Sequence, residues 1–264
     1  MASEPRPVKI LAPDATRAAE RAVAVEAPVA VEVNGLGYAV MMMTPAAFGE
    51  FATGFMLTER LADTPADIRD IHVADTPAGT ILRVTLAEHC ADRIHDRVRH
   101  RSSDTGCGLC GIAGLEQVVR PLPAPPPRPD ATPAALFAAL AGLREHQPLN
   151  RATGAVHAAA WCDSAGAVRA VFEDVGRHNA LDKLIGHAAR THAAFDGFLL
   201  VTSRISFEMV DKALVARAPL LVGISAPTTM AIDHARAYGL TLVALARDDA
   251  MLVANDPFGA FVSG

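Results

Sequence analysis

Cys107 and Cys110 are separated by two residues in the stretch TGCGLCG, with Gly106, Gly108 and Gly111 around them and Gly114 just beyond. Paired thiols can hold a metal, close a disulfide or carry sulfur, and the thiolate is the reactive form in each case. A closed zinc site needs four ligands. The other cysteines, Cys90 and Cys162, stand alone, so such a site would have to draw on His89, His95 or His100. A dithiol oxidoreductase places its pair where a strand meets a helix, because the helix N-terminus lowers the thiol pKa. Here the pair follows RVRHRSSDTG instead. The glycines free the backbone, and the pattern predicts a mobile loop of the kind that carries groups between sites. Arg93, Arg97, Arg99 and Arg101 upstream would favour the thiolate, or equally form a solvated face.

A second set of chemistry-bearing residues lies downstream. FEDVGRHNALDKLIG places Arg177, His178, Asp182 and Lys183 at an expected strand-to-helix turn, SRISFEMVDK adds Arg204, Ser206, Glu208 and Lys212, and SAPTTMAID adds Ser225, Thr228 and Thr229. Unpaired N–H groups at helix starts, beside cations and hydroxyls, suit a phosphate. Acidic residues there also fit plain helix capping. Of the 24 basic residues only Lys9, Lys183 and Lys212 are lysine, and two of these fall inside the clusters.

The elements that must position these groups fall into two parts. PVAVEVNGLGYAVMMM predicts a β-hairpin turning at Asn34-Gly35. Thr44-Pro45 reads as the N-cap and first residue of a helix reaching Leu61, with Phe48, Phe51, Phe55 and Met56 as a core stripe. Strands follow over 68–73 and 80–86. PLPAPPPRPD, six prolines in ten residues, predicts a stiff extended connector. Beyond it come a helix from Thr132-Pro133 to Glu145, strands over 156–162 and 168–172, and the apolar runs GFLLVTS, PLLVGIS and LTLVALA, each followed by a polar strand end. Such runs are strands buried on both faces of a partly parallel sheet, whose ligands bind beyond the carboxyl ends. The predicted organisation is a flexible segment over 1–24, a small α+β domain over 25–120 that ends in the CxxC loop, a linker over 121–131, and a three-layer α/β domain with a mixed sheet over 132–264.

A formal net charge of −5 excludes a global basic field for nucleic acid or an anionic membrane. No apolar run approaches about 18 residues, and the first residues lack a secretory pattern. Four sparse cysteines fit reduced thiols, so the expectation is a cytoplasmic protein.

TGCGLCG, VHAAAW, EDVGRHNALDK, SRISFEMVDKA, SAPTTMAI and LTLVALAR, in this order and spacing, resemble the formate dehydrogenase accessory sulfurtransferase family (FdhD) over residues 25 to 255. The resemblance implies a sulfurtransferase that takes sulfur from a cysteine desulfurase as a persulfide on Cys107, with Cys110 as its CxxC partner. It passes the sulfur to the bis-molybdopterin guanine dinucleotide form of the molybdenum cofactor, bound as acceptor, and so matures the formate dehydrogenase catalytic subunit. It further implies a homodimer, a cytidine-deaminase-like second domain, no metal held by the protein itself, and a cofactor-binding segment over Leu245, Ala246, Arg247, Asp248, Asp249 and Ala250. The chain departs from the family pattern at Asp248, Asp249 and Ala250, where two acids would repel phosphate. Competing readings are a non-catalytic molybdenum cofactor chaperone, a zinc or dithiol protein, and a zinc nucleoside deaminase. The deaminase needs H-x-E with P-C-x-x-C, whereas Ala158 and Ala159 follow His157, and Gly106 precedes Cys107.

Overall fold

The computed structural model describes residues 2–94, 122 and 124–261, so the CxxC loop lies outside the described residues. The first unit is a four-stranded sheet in the order β4-β3-β6-β5, built from β3 (Ala27–Val33), β4 (Leu36–Met43), β5 (Ile68–Thr76) and β6 (Gly79–Leu86). The β3 and β6 strands run parallel and the other pairs antiparallel. As expected, the β3–β4 turn has positive φ at both Asn34 and Gly35 (48° and 79°), the geometry whose twist matches a hairpin. Helix α1 (Phe48–Thr58) lays Phe51, Phe55 and Met56 on Val29, Val31, Leu82 and Val84, forming one buried core.

Helix α1 begins at Phe48 rather than at Pro45. The Thr44 amide donates to Asp174 Oδ2 (3.1 Å) and its hydroxyl accepts from the Val175 amide (3.1 Å), so long-range partners claim the residue that the local pattern assigns to capping.

Residues 3–24, expected to be flexible, form a regular antiparallel hairpin of β1 (Ser3–Leu11) and β2 (Thr16–Ala24), in register from Ser3↔Ala24 to Leu11↔Thr16. Its strands carry few large apolar side chains and leave Ile10, Leu11 and Val23 exposed, so no buried face marks them as strands. Pro5 and Pro7, two apart, turn their missing donors to the same side, which a two-stranded ribbon can leave to solvent.

The second unit is a mixed six-stranded sheet in the order β12-β11-β10-β9-β7-β8. Its strands are β7 (His157–Cys162), β8 (Val168–Asp174), β9 (Phe198–Val201), β10 (Leu220–Gly223), β11 (Thr241–Ala244) and β12 (Leu252–Asn255). The three apolar runs are parallel neighbours, as their composition predicts. Alternate residues serve opposite faces. Leu199, Val201, Leu221 and Leu242 pack on α4 (Arg177–Arg190), α5 (Phe207–Val215) and α6 (Thr229–Tyr238), while Phe198, Leu200, Val222 and Val243 pack on α2 (Pro133–Leu143). A short helix, α3 (Pro148–Thr153), leads from α2 to β7 and packs against β2. The connector over 124–131 has no helix or strand, and its Pro126 and Pro129 are buried against the fold.

The two units meet through α1 and α4. These helices cross at Gly54 and Gly186, where a Cβ on Gly54 would lie 2.8 Å from the Gly186 amide nitrogen, and one on Gly186 2.7 Å from the Gly54 amide nitrogen. Only glycine permits so close an approach of two backbones.

Candidate ligand site at the strand ends

Helices α4 and α5 start where β8 and β9 end, and they bring Arg177, His178, Ser206 and Glu208 together. Strand β7 runs antiparallel to β9, so its first residue, His157, arrives at the same end of the sheet. The Ala158 amide fixes that approach by donating to Thr202 Oγ1 (2.9 Å).

Among the described residues, Arg177 Nε, both ring nitrogens of His178 and Ser206 Oγ are buried without a hydrogen-bond partner. Buried polar atoms are nearly always satisfied, and each orphan costs about 1–3 kcal/mol. Four converging on one corner mark a place that a polar ligand would complete. His178 Nε2 lies 3.2 Å from Glu208 Oε2, but outside hydrogen-bond alignment.

The charges follow from burial. Desolvation, assisted by the positive charges of Lys212 and Arg177, holds the His178 imidazole down to about 3, so it is neutral at physiological pH. Desolvation pushes the Glu208 carboxyl up to about 7; Lys212 and Arg177 oppose the rise, while Glu59 and Asp182 add to it. His157 is lowered by burial and by Arg177. The corner therefore offers one guanidinium, two neutral imidazoles, a hydroxyl and a carboxyl poised near neutrality, at the starts of two helices. That set suits an anionic, hydrogen-bonding ligand.

The remaining sequence-predicted residues divide. The loops after β9, β10 and β11 are stitched together by backbone bonds: Ile205 donates to Ala226 (3.1 Å), Thr228 to Ile205 (3.0 Å), Leu245 to Ser225 (3.2 Å) and Ala246 to Gly223 (3.1 Å). Arg204, Ser225, Thr228 and residues 245–250 thus form a continuous rim beside the corner. Arg204 is exposed and Ser225 half-buried, and the Thr228 hydroxyl caps α6 by accepting from the Ala231 amide (3.3 Å). Leu245 adopts a left-handed φ of 49°. Arg247 closes the following turn, donating through its guanidinium to Ile224 O and through its amide to Ala250 O, while Asp248 and Asp249 are exposed.

Asp182 and Lys183 sit one turn further along α4 and face the fold interior, each about 1% exposed. Lys212 Nζ donates to both Asp182 oxygens (2.8 and 2.9 Å) and Thr58 Oγ1 to one of them (2.7 Å). Burial opposes the charge on Lys212, but Asp182, Glu59 and Glu208 outweigh it and raise its pKa. Lys183 Nζ donates to Asp174 and to Thr44 O (3.0 Å). These two residues, read from sequence as ligand contacts, tie α4 to α1 and to the end of β4. Their spacing beside Arg177 and His178 gave no hint of these partners, which lie 9 to 139 residues away. Conversely, Glu208, which the sequence reading placed in the second cluster without a role of its own, and His157, which it gave no ligand role, both belong to the corner.

Cys90 and Cys162 are both fully buried. Burial, with nearby Asp67, raises the Cys90 thiol, and burial, with nearby Asp163, pushes Cys162 up to about 12. Asp67, His89 and Cys90 place metal-type donor atoms within 4.8 Å of one another. Asp67 Oδ2 already accepts from the Asp63 and Thr64 amides and the Thr64 hydroxyl.

The fold is that of a two-unit α/β protein with a cluster of buried, unpartnered polar groups at the carboxyl ends of a mixed sheet. The chain belongs to the FdhD/NarQ family, whose family model matches residues 24–258. It is 44% identical over 237 residues to the sulfur carrier protein FdhD of Variovorax paradoxus, covering 89% of this chain and 85% of that one. It is 46% identical over 236 residues to the protein of the same name from Xanthomonas campestris pv. campestris strain B100, covering 89% and 84%. A crystal structure of a candidate formate dehydrogenase accessory protein from Desulfotalea psychrophila superposes with a TM-score of 0.76 over 99% of this chain and 100% of that one, at 24% identity, and shares the fold. No helix among the described residues is long and apolar enough to cross a membrane.

Proposed function

We propose that this chain is a sulfur carrier that accepts sulfur from a cysteine desulfurase on Cys107 and delivers it to the bis-molybdopterin guanine dinucleotide molybdenum cofactor destined for a formate dehydrogenase. The observation that carries the reading is the state of the other two thiols. Cys90 and Cys162 are buried and held protonated, which leaves Cys107 and Cys110 for thiolate chemistry. The curated relatives bear the name sulfur carrier protein. In the first step the Cys107 thiolate attacks the terminal sulfur of the donor persulfide. The donor S–S bond breaks, the donor cysteine leaves as its thiolate, and Cys107 becomes the persulfide. The sulfane sulfur moves without net oxidation.

The cofactor is the acceptor, and the strand-end corner suits its guanine dinucleotide arms. Arg177, Ser206 and the starts of α4 and α5 would hold phosphate oxygens, His178 would donate one further hydrogen bond, and the rim from Arg204 to Ala250 would flank the nucleotide. Asp248 and Asp249 are exposed, so solvent would screen their charge from a phosphate held in the buried corner. The second unit is read as cytidine-deaminase-like and the protein as a cytoplasmic homodimer. The test is binding of guanosine diphosphate as a cofactor fragment. It should raise the unfolding temperature by mass action, and Arg177→Ala should weaken it by roughly ten- to hundredfold, the loss of one charge-assisted contact. Equal binding by wild type and Arg177→Ala would remove the corner from the account.

A further inference from the structure

The strand-end corner contains an acid where an anion is expected. Glu208 stands in the first turn of α5, 3.2 Å from His178 and beside the unpartnered Ser206 Oγ and Arg177 Nε. An ionised carboxylate there would repel phosphate across a short, water-poor distance. We propose that Glu208 is a protonation gate on this site, so that a phosphate-bearing ligand binds only when the Glu208 carboxyl is neutral, and binding above neutrality takes up one proton. This rests on the reading of the corner as the nucleotide site.

The surroundings single out Glu208 as the titrating group. From α5 it faces Lys212, which is committed to Asp182 and Thr58; from α4, Arg177, His178 and Asp182; and from the end of α1, Glu59. His157 faces Arg177 and His178 from β7. His178, held down to about 3, gains no proton as pH falls from about 8 to about 6, and burial and Arg177 lower His157 as well, whereas Glu208, at about 7, takes one up across that range. The sign follows. A bound anion favours the neutral carboxyl and raises its pKa, so affinity is full below the free-protein pKa and declines as pH rises through it. Neutral Glu208 also gains a function, because a protonated carboxyl has an O–H to donate to a phosphate oxygen.

The experiment is calorimetric titration of the full chain with guanosine diphosphate mannose. Its pyrophosphate is a diester and lacks the second phosphate ionisation near pH 6 that would confuse a monoester. With Glu208 titrating at about 7, affinity should fall about tenfold between about pH 6 and about pH 8. Heats measured at about pH 8 in buffers of different ionisation enthalpy should show close to one proton taken up per ligand. Glu208→Gln mimics the neutral acid in shape and should bind at both pH values as wild type does at the lower one, with no proton uptake. Binding that is pH-independent in wild type, or pH-dependent to the same degree in Glu208→Gln, overturns the gate while leaving the nucleotide site standing. Absence of binding at every pH overturns the site, and the gate with it.

Discussion

Gly186→Ala should destabilise the protein although it improves helix propensity. In an open helix position the change contributes about 1 kcal/mol of stability. At Gly186 the new Cβ would lie 2.7 Å from the Gly54 amide nitrogen and closer still to Glu50 O, both backbone atoms that no side-chain rotation can move. Helices α1 and α4 must separate, and overpacking of this kind costs about 1–3 kcal/mol, with a backbone clash at the upper end. Separation also stretches the Thr58–Asp182 hydrogen bond and the Lys212–Thr58 contact (2.7 and 2.9 Å), adding about 1–2 kcal/mol. The net loss is about 3 kcal/mol, a fall in unfolding temperature of roughly 6–12 °C for a chain of this size. Gly142→Ala in α2 is the control: nothing lies within 4 Å of its Cβ, so the same substitution should be neutral or stabilising by up to about 1 kcal/mol. Differential scanning calorimetry of the three proteins decides. Gly186→Ala unfolding at or above the wild-type temperature would refute the close crossing of α1 and α4.

Removing one partner of the buried bridge, as in Asp182→Ala, should cost about 3–5 kcal/mol in urea unfolding, because Lys212 is left charged and buried without its ion-pair partner; a change below about 1 kcal/mol would show the pair to be solvated. Iodoacetamide on the native protein near neutral pH should leave Cys90 and Cys162 unlabelled, since both are buried and protonated, and peptide mass analysis finding either modified as fast as in the unfolded chain would contradict that. Because the folded Glu208 pKa, about 7, lies above its ordinary 4.5, its stabilising contribution is complete below about pH 4.5 and is lost as pH rises through 7. Chemical denaturation should therefore show Glu208→Gln gaining on wild type between about pH 5 and 8, and parallel pH profiles would refute the shift.

Much of the fold is legible in local pattern. Asn34-Gly35 marks its hairpin because few other dipeptides accept positive φ twice, and three unbroken apolar runs mark β9, β10 and β11 because both faces of those strands are covered. The β1–β2 hairpin is not legible, since its strands bury no apolar face, and neither is β12, an edge strand of four residues. In the site, the helix starts at Arg177 and Ser206 follow from strand-end chemistry, but the assignment of Asp182 and Lys183 turns on Thr58, Lys212, Asp174 and Thr44, which only the tertiary fold brings to them. Gly54 and Gly186 look like blemishes in two helices until the crossing explains both.

The measurement closest to the central claim is intact-protein mass after incubation with a cysteine desulfurase and cysteine, followed by gentle reduction. The account predicts one added sulfur atom on the wild-type chain, removed by reductant, and none on Cys107→Ala, whose far-ultraviolet circular dichroism and unfolding temperature stay those of wild type. Equal sulfur loading of wild type and Cys107→Ala, or no loading of the wild type by an active desulfurase, would contradict it.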